Sequence, residues 1–506
     1  MEQGANRGIK RRDAMALIGM GAAAAGMPGM SAAARAPVPA ATPERTAGGA
    51  RWLATVAGRP WQGRALPALG AVSADPFAVG ATVRLDAPRQ TIAGFGGAFS
   101  EKGWQALMAL PPARRSEALA ALFGDDGCGF NHCRTPIGAN DISRGWYSYD
   151  ETPGDYDLAH FTIANDRDTL IPFIQAAQRL RPDLKVWASP WSPPTWMKQG
   201  GHYAQAPAWP GQPSNGITPA QLGQEGRDSF RLDDRTLAAY ARYFRRYVEE
   251  YAKAGIRIDT VMPQNEFNSA QPFPSCCWTP EGLARFIPFL AREMDKVGTR
   301  VFFGTLERGN IDLFDRVMAH PDAAAAIKGI GVQWAGKDAL GPLRERYPAL
   351  ELWGSEQECG VGTNDWRYAR YGWQTIKRYF EHGATVWTYW NMAMPQGGMS
   401  GWGWPQNSLV EVDTNAGTFR LGEDYWLVRH LSAHVRPGAR LVPVESFLGY
   451  VDQLAFRNPD GSLVLVASNA VAQPSTVTYR IGDKTLALPL EPDSLNTVIV
   501  PADRLA

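Results

Sequence analysis

Cysteine is scarce. Cys128, Cys133, Cys276, Cys277 and Cys359 are the only ones in 506 residues. An odd count leaves at least one thiol outside any pairing, and the spacings match no zinc pattern. The adjacent Cys276 and Cys277 suit neither a shared disulfide nor a metal pair, so buried thiols are expected. Histidine is sparse too, seven in all with no His-Glu-x-x-His arrangement, which argues against a catalytic metal. There is no Gly-x-Ser-x-Gly elbow and no phosphate loop, and Gly94-Phe95-Gly96-Gly97 does not fit a dinucleotide fingerprint. No cofactor is implied. An excess of one charge is also lacking: 51 basic and 50 acidic residues give a formal net charge of +1. Neither nucleic acid nor an anionic membrane surface is therefore indicated as a partner. No run of apolar residues is long enough for stable membrane insertion.

What is present is a large, core-forming chain with 45% hydrophobic and 11% aromatic residues, including 18 Trp. Its length suits a barrel of roughly 250 residues or more plus a smaller domain. Tryptophan at this density packs cores, and it also stacks on the apolar faces of sugars. The N-terminus reads as an address. Lys10-Arg11-Arg12 precedes a short Ala/Gly/Met run and small residues at Ser31–Ala34 and Ala36. That pattern is expected of a twin-arginine signal over residues 1–36, and so of an exported, periplasmic or secreted protein. An Ala/Pro/Thr-rich linker follows over residues 37–49.

Along the chain, apolar strands alternate with amphipathic helices. Eight strands are expected: Thr91–Phe99, Phe130–Ile137, Leu184–Ser189, Arg257–Val261, Arg300–Gly304, Gly329–Trp334, Leu350–Glu356 and Ala384–Asn391. Helices are expected near Ala113–Leu122, Arg167–Leu180, Asp234–Ala254, Pro280–Val297 and Asp365–His382, with Thr279 capping the fourth. The fold class is α/β, a (β/α)8 TIM barrel over residues 89–432. After residue 433 the helices give way to short alternating strands, with Asn458-Pro459-Asp460-Gly461 as a hairpin turn. Residues 433–506 therefore read as an all-β sandwich, joined by N-terminal strands from residues 50–88.

Function in such a barrel sits at the C-terminal strand ends. Those ends carry Arg134, Asn265-Glu266, Glu356 and Trp390-Asn391. Two carboxylates, Glu266 on strand four and Glu356 on strand seven, can face each other across the ring. Glycoside hydrolysis needs such a pair, one to protonate the leaving oxygen and one to attack C1 or activate water. Glu358 shares a strand face with Glu356 and stands as a rival to it.

The chain resembles glycoside hydrolase family 30, and within it the glucosylceramidase group. The likeness is carried by Gly94-Phe95-Gly96-Gly97-Ala98-Phe99-Ser100-Glu101, Cys133-Arg134-Thr135-Pro136-Ile137-Gly138, Asp141-Ile142-Ser143 and Tyr149-Asp150-Glu151-Thr152-Pro153. It continues in Ala188-Ser189-Pro190-Trp191-Ser192-Pro193-Pro194-Thr195-Trp196, Gln264-Asn265-Glu266, Ser355-Glu356 and Trp387-Thr388-Tyr389-Trp390-Asn391. The resemblance implies a retaining β-glycosidase acting on β-glucosidic bonds of a carbohydrate or glycolipid. Glu266 would be the acid/base and Glu356 the nucleophile. Asn265 would bind the 2-hydroxyl, Trp191, Trp334, Trp390 and Glu101 would line the sugar subsite, and Arg134 would support the nucleophile. Glu101, Gln333 and Tyr389 depart from the group's Asp, His and Asp, at positions that touch or flank that subsite. Endo-β-1,6-glucanase and β-xylosidase activity are the alternatives within the family. A non-catalytic carbohydrate-binding protein is the alternative outside it.

Overall fold

The computed structural model describes residues 49–505, except Ala74, Phe447, Leu448, Tyr450 and Val451. The expected signal segment, and the linker up to residue 48, lie outside the described residues.

Eight parallel strand positions close a barrel: β1 (Gly94–Ala98), β2 (His132–Ile137), β3 (Lys185–Pro190), β4 (Ile258–Val261), β5 (Arg300–Leu306), β6 (Gly329–Gln333), β7 (Glu351–Glu356) and β8 (Ala384–Asn391). The fifth is broken at Phe302. Arg300–Val301 pairs with β4, and Phe303–Leu306 pairs with β6. The ring closes where Trp387 and Thr388 of β8 pair with Phe95 and Gly96 of β1. Glycine at 96 is a packing requirement there, because a Cβ would sit 1.9 Å from the His132 carbonyl oxygen.

The two-residue period of a strand sorts side chains into the barrel or onto its outer layer. Trp187, Met262, Phe302, Trp353 and Val386 fill the interior. Their neighbours Val186, Val261, Phe303, Leu352, Trp387 and Tyr389 join the core between strands and helices. The Asp234–Lys253 helix shows how sequence sets that outer core. Asp233 caps its first turn, and Leu237, Tyr240, Tyr243, Phe244, Tyr247, Val248 and Tyr251 form one buried stripe. Tyr251 donates to Asp166 Oδ2 at 2.7 Å and Tyr149 to the same oxygen at 2.6 Å, so this polar group in the core is satisfied. Thr279 caps the Pro280–Asp295 helix, as its spacing predicts.

The expected elements appear with ends shifted by a few residues. Several pieces lay outside the periodic pattern, among them the helices Glu101–Met108, Asp312–Met318, Pro321–Ala326, Leu340–Arg346 and Glu423–Ser432, the strand Arg59–Arg64, and a small sheet of Ala393–Pro395, Val410–Asp413 and Thr418–Leu421. Each is too short to repeat a period often.

The second domain packs two sheets. One orders Arg440–Val442, Gln453–Arg457, Leu463–Asn469, Ser494–Val500, Arg51–Val56 and Arg59–Arg64. The other orders Val444–Ser446, Ala81–Val83, Ser475–Ile481, Lys484–Leu490 and Gly70–Ala71. The strands before the barrel thus complete the sandwich, Trp52 pairing with Val498 and Ala81 with Tyr479.

His430, on the helix after the barrel, joins the two domains. Thr497 Oγ1 donates to the His430 carbonyl at 2.9 Å, so the same oxygen accepts from Nδ1–H at 2.8 Å. Nε2 is then the acceptor for the Thr55 hydroxyl at 2.8 Å. Both ring nitrogens are used in the neutral form, and burial holds the imidazole well below its usual value of 6.5. The unfolded chain therefore takes up a proton near 6.5 that the folded chain refuses, and His430 costs stability as pH falls through that value. Urea midpoints at pH 7.5 and pH 5.5 should differ less in His430→Gln than in the parent. An unchanged difference would contradict this assignment.

Candidate active site

The tips of β2, β3, β4 and β7 meet around one side chain. Arg134, fully buried on β2, donates through Nη1 to Glu356 Oε2 at 2.7 Å and to the Ser355 carbonyl at 3.4 Å. Its Nη2 donates to Ser189 Oγ on β3 at 2.8 Å and to Asn265 Oδ1, just past β4, at 2.7 Å. The guanidinium lies 4.8, 4.4 and 5.4 Å from the ring centroids of Trp187, Trp191 and Trp390. A flat cation with donors in a fixed fork meets these directions together, and a lysine ammonium would not.

Arginine only donates, so the Asn265 atom facing it is the amide oxygen. Thr305 Oγ1 and Gln333 Nε2 also lie 3.2 Å from that oxygen. The Nδ2 hydrogens of Asn265 donate to no side chain among the described residues and stay available to a ligand. Thr305 does double duty, since its Oγ1 accepts the Glu266 backbone N–H at 2.9 Å.

Glu356 is held from three directions. Besides Arg134, Gln333 Nε2 reaches Oε2 at 3.1 Å and Trp334 Nε1 donates to Oε1 at 3.0 Å. Ser355 Oγ donates to Gln333 Oε1 at 3.0 Å, which turns the amide nitrogen toward the carboxylates. That nitrogen also lies 3.3 Å from Glu266 Oε1. One amide thus touches both carboxylates, each 4% exposed. The two carboxylates therefore flank one amide nitrogen and face each other across it.

Backbone conformation marks the same place. Glu266 (φ 46°) and Trp334 (φ 49°) are two of six described non-glycine residues in the left-handed region. Such backbone persists where the surroundings over-determine it. Close by, burial, reinforced by the charge of Glu266 and opposed by Arg308, pushes Glu307 up to about 8.

Trp191 and Trp390 stack above the cluster, with centroids 5.2 Å apart and planes at 29°. The Trp390 Nε1 is buried without a hydrogen-bond partner among the described residues, a donor left for a ligand. Of the ten residues singled out from sequence, eight converge here: Glu266, Glu356, Asn265, Arg134, Gln333, Trp191, Trp334 and Trp390.

Two do not. Tyr389 points to the outer face of β8 and donates to Asp424 Oδ2 at 2.5 Å on the Glu423–Ser432 helix. Strand alternation turns Trp390 inward and therefore Tyr389 outward. Glu101 opens the Glu101–Met108 helix. Its oxygens accept from Arg144 Nε at 2.8 Å, the Arg144 backbone N–H at 3.0 Å and Asn165 Nδ2 at 2.8 Å. That buried carboxylate anchors the loop after β2. Glu358 is engaged elsewhere, bonded at 2.7 Å to both Lys337 and Tyr371. Sequence reasoning missed Thr305 because strand five was expected to end at Gly304, although a hydroxyl at a strand tip was a readable signal. Cys128, Cys133 and Cys276 offer no nucleophile, since burial pushes each thiol up to about 12.

Arg134→Met leaves Glu356 charged and buried without its cation. Such a loss costs about 3–5 kcal/mol and is measurable by urea unfolding at neutral pH. Adding Glu356→Gln should recover part of it, because the unpaired charge is then gone. Strict additivity of the two changes would contradict the pairing.

Comparison with known proteins agrees with this architecture. The Glycosyl hydrolase family 30 TIM-barrel domain matches residues 92–435, and the family 30 beta sandwich domain matches residues 438–498. Lysosomal acid glucosylceramidase of Mus musculus is 28% identical over 449 residues, covering 82% of each chain. Endo-1,6-beta-D-glucanase of Neurospora crassa is 25% identical over 419 residues, covering 78% of this chain and 81% of that one. Among solved structures, SrfJ of Salmonella typhimurium superposes with a TM-score of 0.80 at 23% identity, covering 89% of this chain and 99% of its own. With the barrel match spanning most of its length and the sandwich match following directly, the chain belongs to glycosyl hydrolase family 30.

Proposed function

We propose that this family 30 glycosidase is a retaining enzyme that cleaves β-glucosidic bonds by double displacement. Glu356 is the nucleophile and Glu266 the acid/base. The observation that carries the reading is the single Gln333 amide in contact with both carboxylates. It supports a close pair, in which Glu356 meets C1 with no water between that carboxylate and the sugar.

Glu356, ionised and oriented by Arg134, Gln333 and Trp334, attacks C1 of the sugar. The C1–O bond to the leaving group breaks, and protonated Glu266 gives its proton to that oxygen. Glu266, now a carboxylate, takes a proton from water. The resulting hydroxide equivalent attacks C1 and releases Glu356. Two inversions give net retention. Asn265, its oxygen fastened to Arg134, turns its Nδ2 hydrogens toward the 2-hydroxyl, where hydrogen bonding strengthens in the transition state. Trp191 and Trp390 take the sugar face. Glu358 is bound to Lys337 and Tyr371, which favours Glu356 as the attacking group.

Glu356→Gln should lower kcat on an activated aryl β-glucoside by about 10³-fold or more. A 2-deoxy-2-fluoro-β-glucosyl donor should leave one sugar on Glu356 in tandem mass spectra, and label on Glu358 would reassign the nucleophile. Glu266→Gln should slow glucosides with poor leaving groups by about 10²–10⁴-fold and activated ones far less. Proton NMR of the first-formed sugar should show the β-anomer, and the α-anomer would end the retaining reading.

A further inference from the structure

The loops around the catalytic pair carry a run of aromatic rings that the proposed chemistry does not use. It begins on the nucleophile, where Trp334, bonded to Glu356, lies 5.9 Å from Trp404. Trp404 meets Trp209 at 6.2 Å, and Trp209 meets Phe273 at 6.1 Å. Toward the rim, Trp402 packs on the same cluster and meets Trp146 edge-on at 4.9 Å. None of the loop rings stands on a barrel strand. Trp146 comes from the loop after β2, Trp209 from the long loop after β3, and Trp402 and Trp404 from the loop after β8. The last two loops touch, since a Cβ at Gly403 would lie 1.9 Å from Gln212 Oε1.

We propose that this collar is the leaving-group subsite, and that it takes a second pyranose ring rather than an acyl chain. The inference rests on the retaining β-glycosidase reading and names the substrate class for the same cleft. Its wall is flat. In the cluster containing Trp191 and Trp390, the aliphatic members are Ala98, Ile142 and Met394, and the rest are aromatic apart from Cys359. Indole faces suit the C–H face of an equatorially substituted sugar, whereas a hydrocarbon tail is better served by branched aliphatic walls. The outer rings are accessible, Trp146 at 36% and Trp402 half-buried. Exposed aromatics beside a catalytic centre mark a binding surface. The chain also enters through Trp334, so a ring seated there lies next to the bond that Glu266 protonates.

The test compares three substrates that share the glucosyl group: β-glucosyl fluoride, whose leaving group fills no subsite, a β-1,6-linked diglucoside, and n-octyl β-glucoside. Trp402→Ala should lower the ratio of kcat/KM on the diglucoside to kcat/KM on the fluoride about tenfold or more, mainly through KM. Trp146→Ala, a change at the rim, should lower the same ratio in the same direction. The octyl ratio should fall less in both. A diglucoside ratio equal to the parent's in both variants would overturn the subsite, as would an octyl ratio that falls as far or further. Failure of the parent to turn over β-glucosyl fluoride would overturn the β-glycosidase reading itself, and the subsite with it.

Discussion

The structure of the site depends on one buried cation. Arg134 sits where charge is expensive, with Glu356 as its counter-ion. The arrangement is stable because every direction of the guanidinium fork but one is engaged. Four neighbours on three other strand tips accept from it, and three indoles lie against it. Holding Ser189, Asn265 and Glu356 to one rigid plane also fixes the distances between β3, β4 and β7. The attraction that offsets the desolvation of Arg134 is therefore the same one that aligns Asn265 with Glu356.

Around that cation the polar groups divide their work by what they can donate or accept. Arg134 can only donate, so it dictates which end of the Asn265 amide faces inward. Ser355 dictates the Gln333 amide in the same way, and Gln333 then contacts Glu266 and Glu356 at once. The left-handed backbone at Glu266 and Trp334 lies at the ends of this network. The strain is held by its bonds, Thr305 to the Glu266 amide and Glu356 to the Trp334 indole. Rigid strands position the chemistry while the loops beyond them carry the aromatic collar, which is how one barrel serves different leaving groups.

The sandwich is coupled to this barrel through polar contacts as well as packing. His430 uses both ring nitrogens to reach Thr55 and Thr497, which come from opposite ends of the chain. The first strand therefore has to find the last before the interface is complete, a long-range pairing that local propensity cannot encode.

Much of this was legible in the residues alone. Helical and strand periods gave eight strands, five of the helices between them, and the change to β structure beyond residue 433. Motif order pointed to the two carboxylates, Asn265, Arg134, Gln333 and the three tryptophans. Those features are local: a period repeats along one element, and a motif sits at one strand end. The remaining features are relations between elements. Tyr389 faces outward because alternation had already turned Trp390 inward, and only the barrel says which side is which. Glu101 is drawn to Arg144 and Asn165 by a loop whose course no period marks. Thr305 matters because a broken fifth strand brings its hydroxyl to the Glu266 amide. By itself the sequence determined the architecture and named the candidate participants in the chemistry. Tertiary structure decided which way each side chain faces, which donor meets which acceptor, and that rings from three separate loops form one wall, because each depends on strand register and loop contact rather than on residue order.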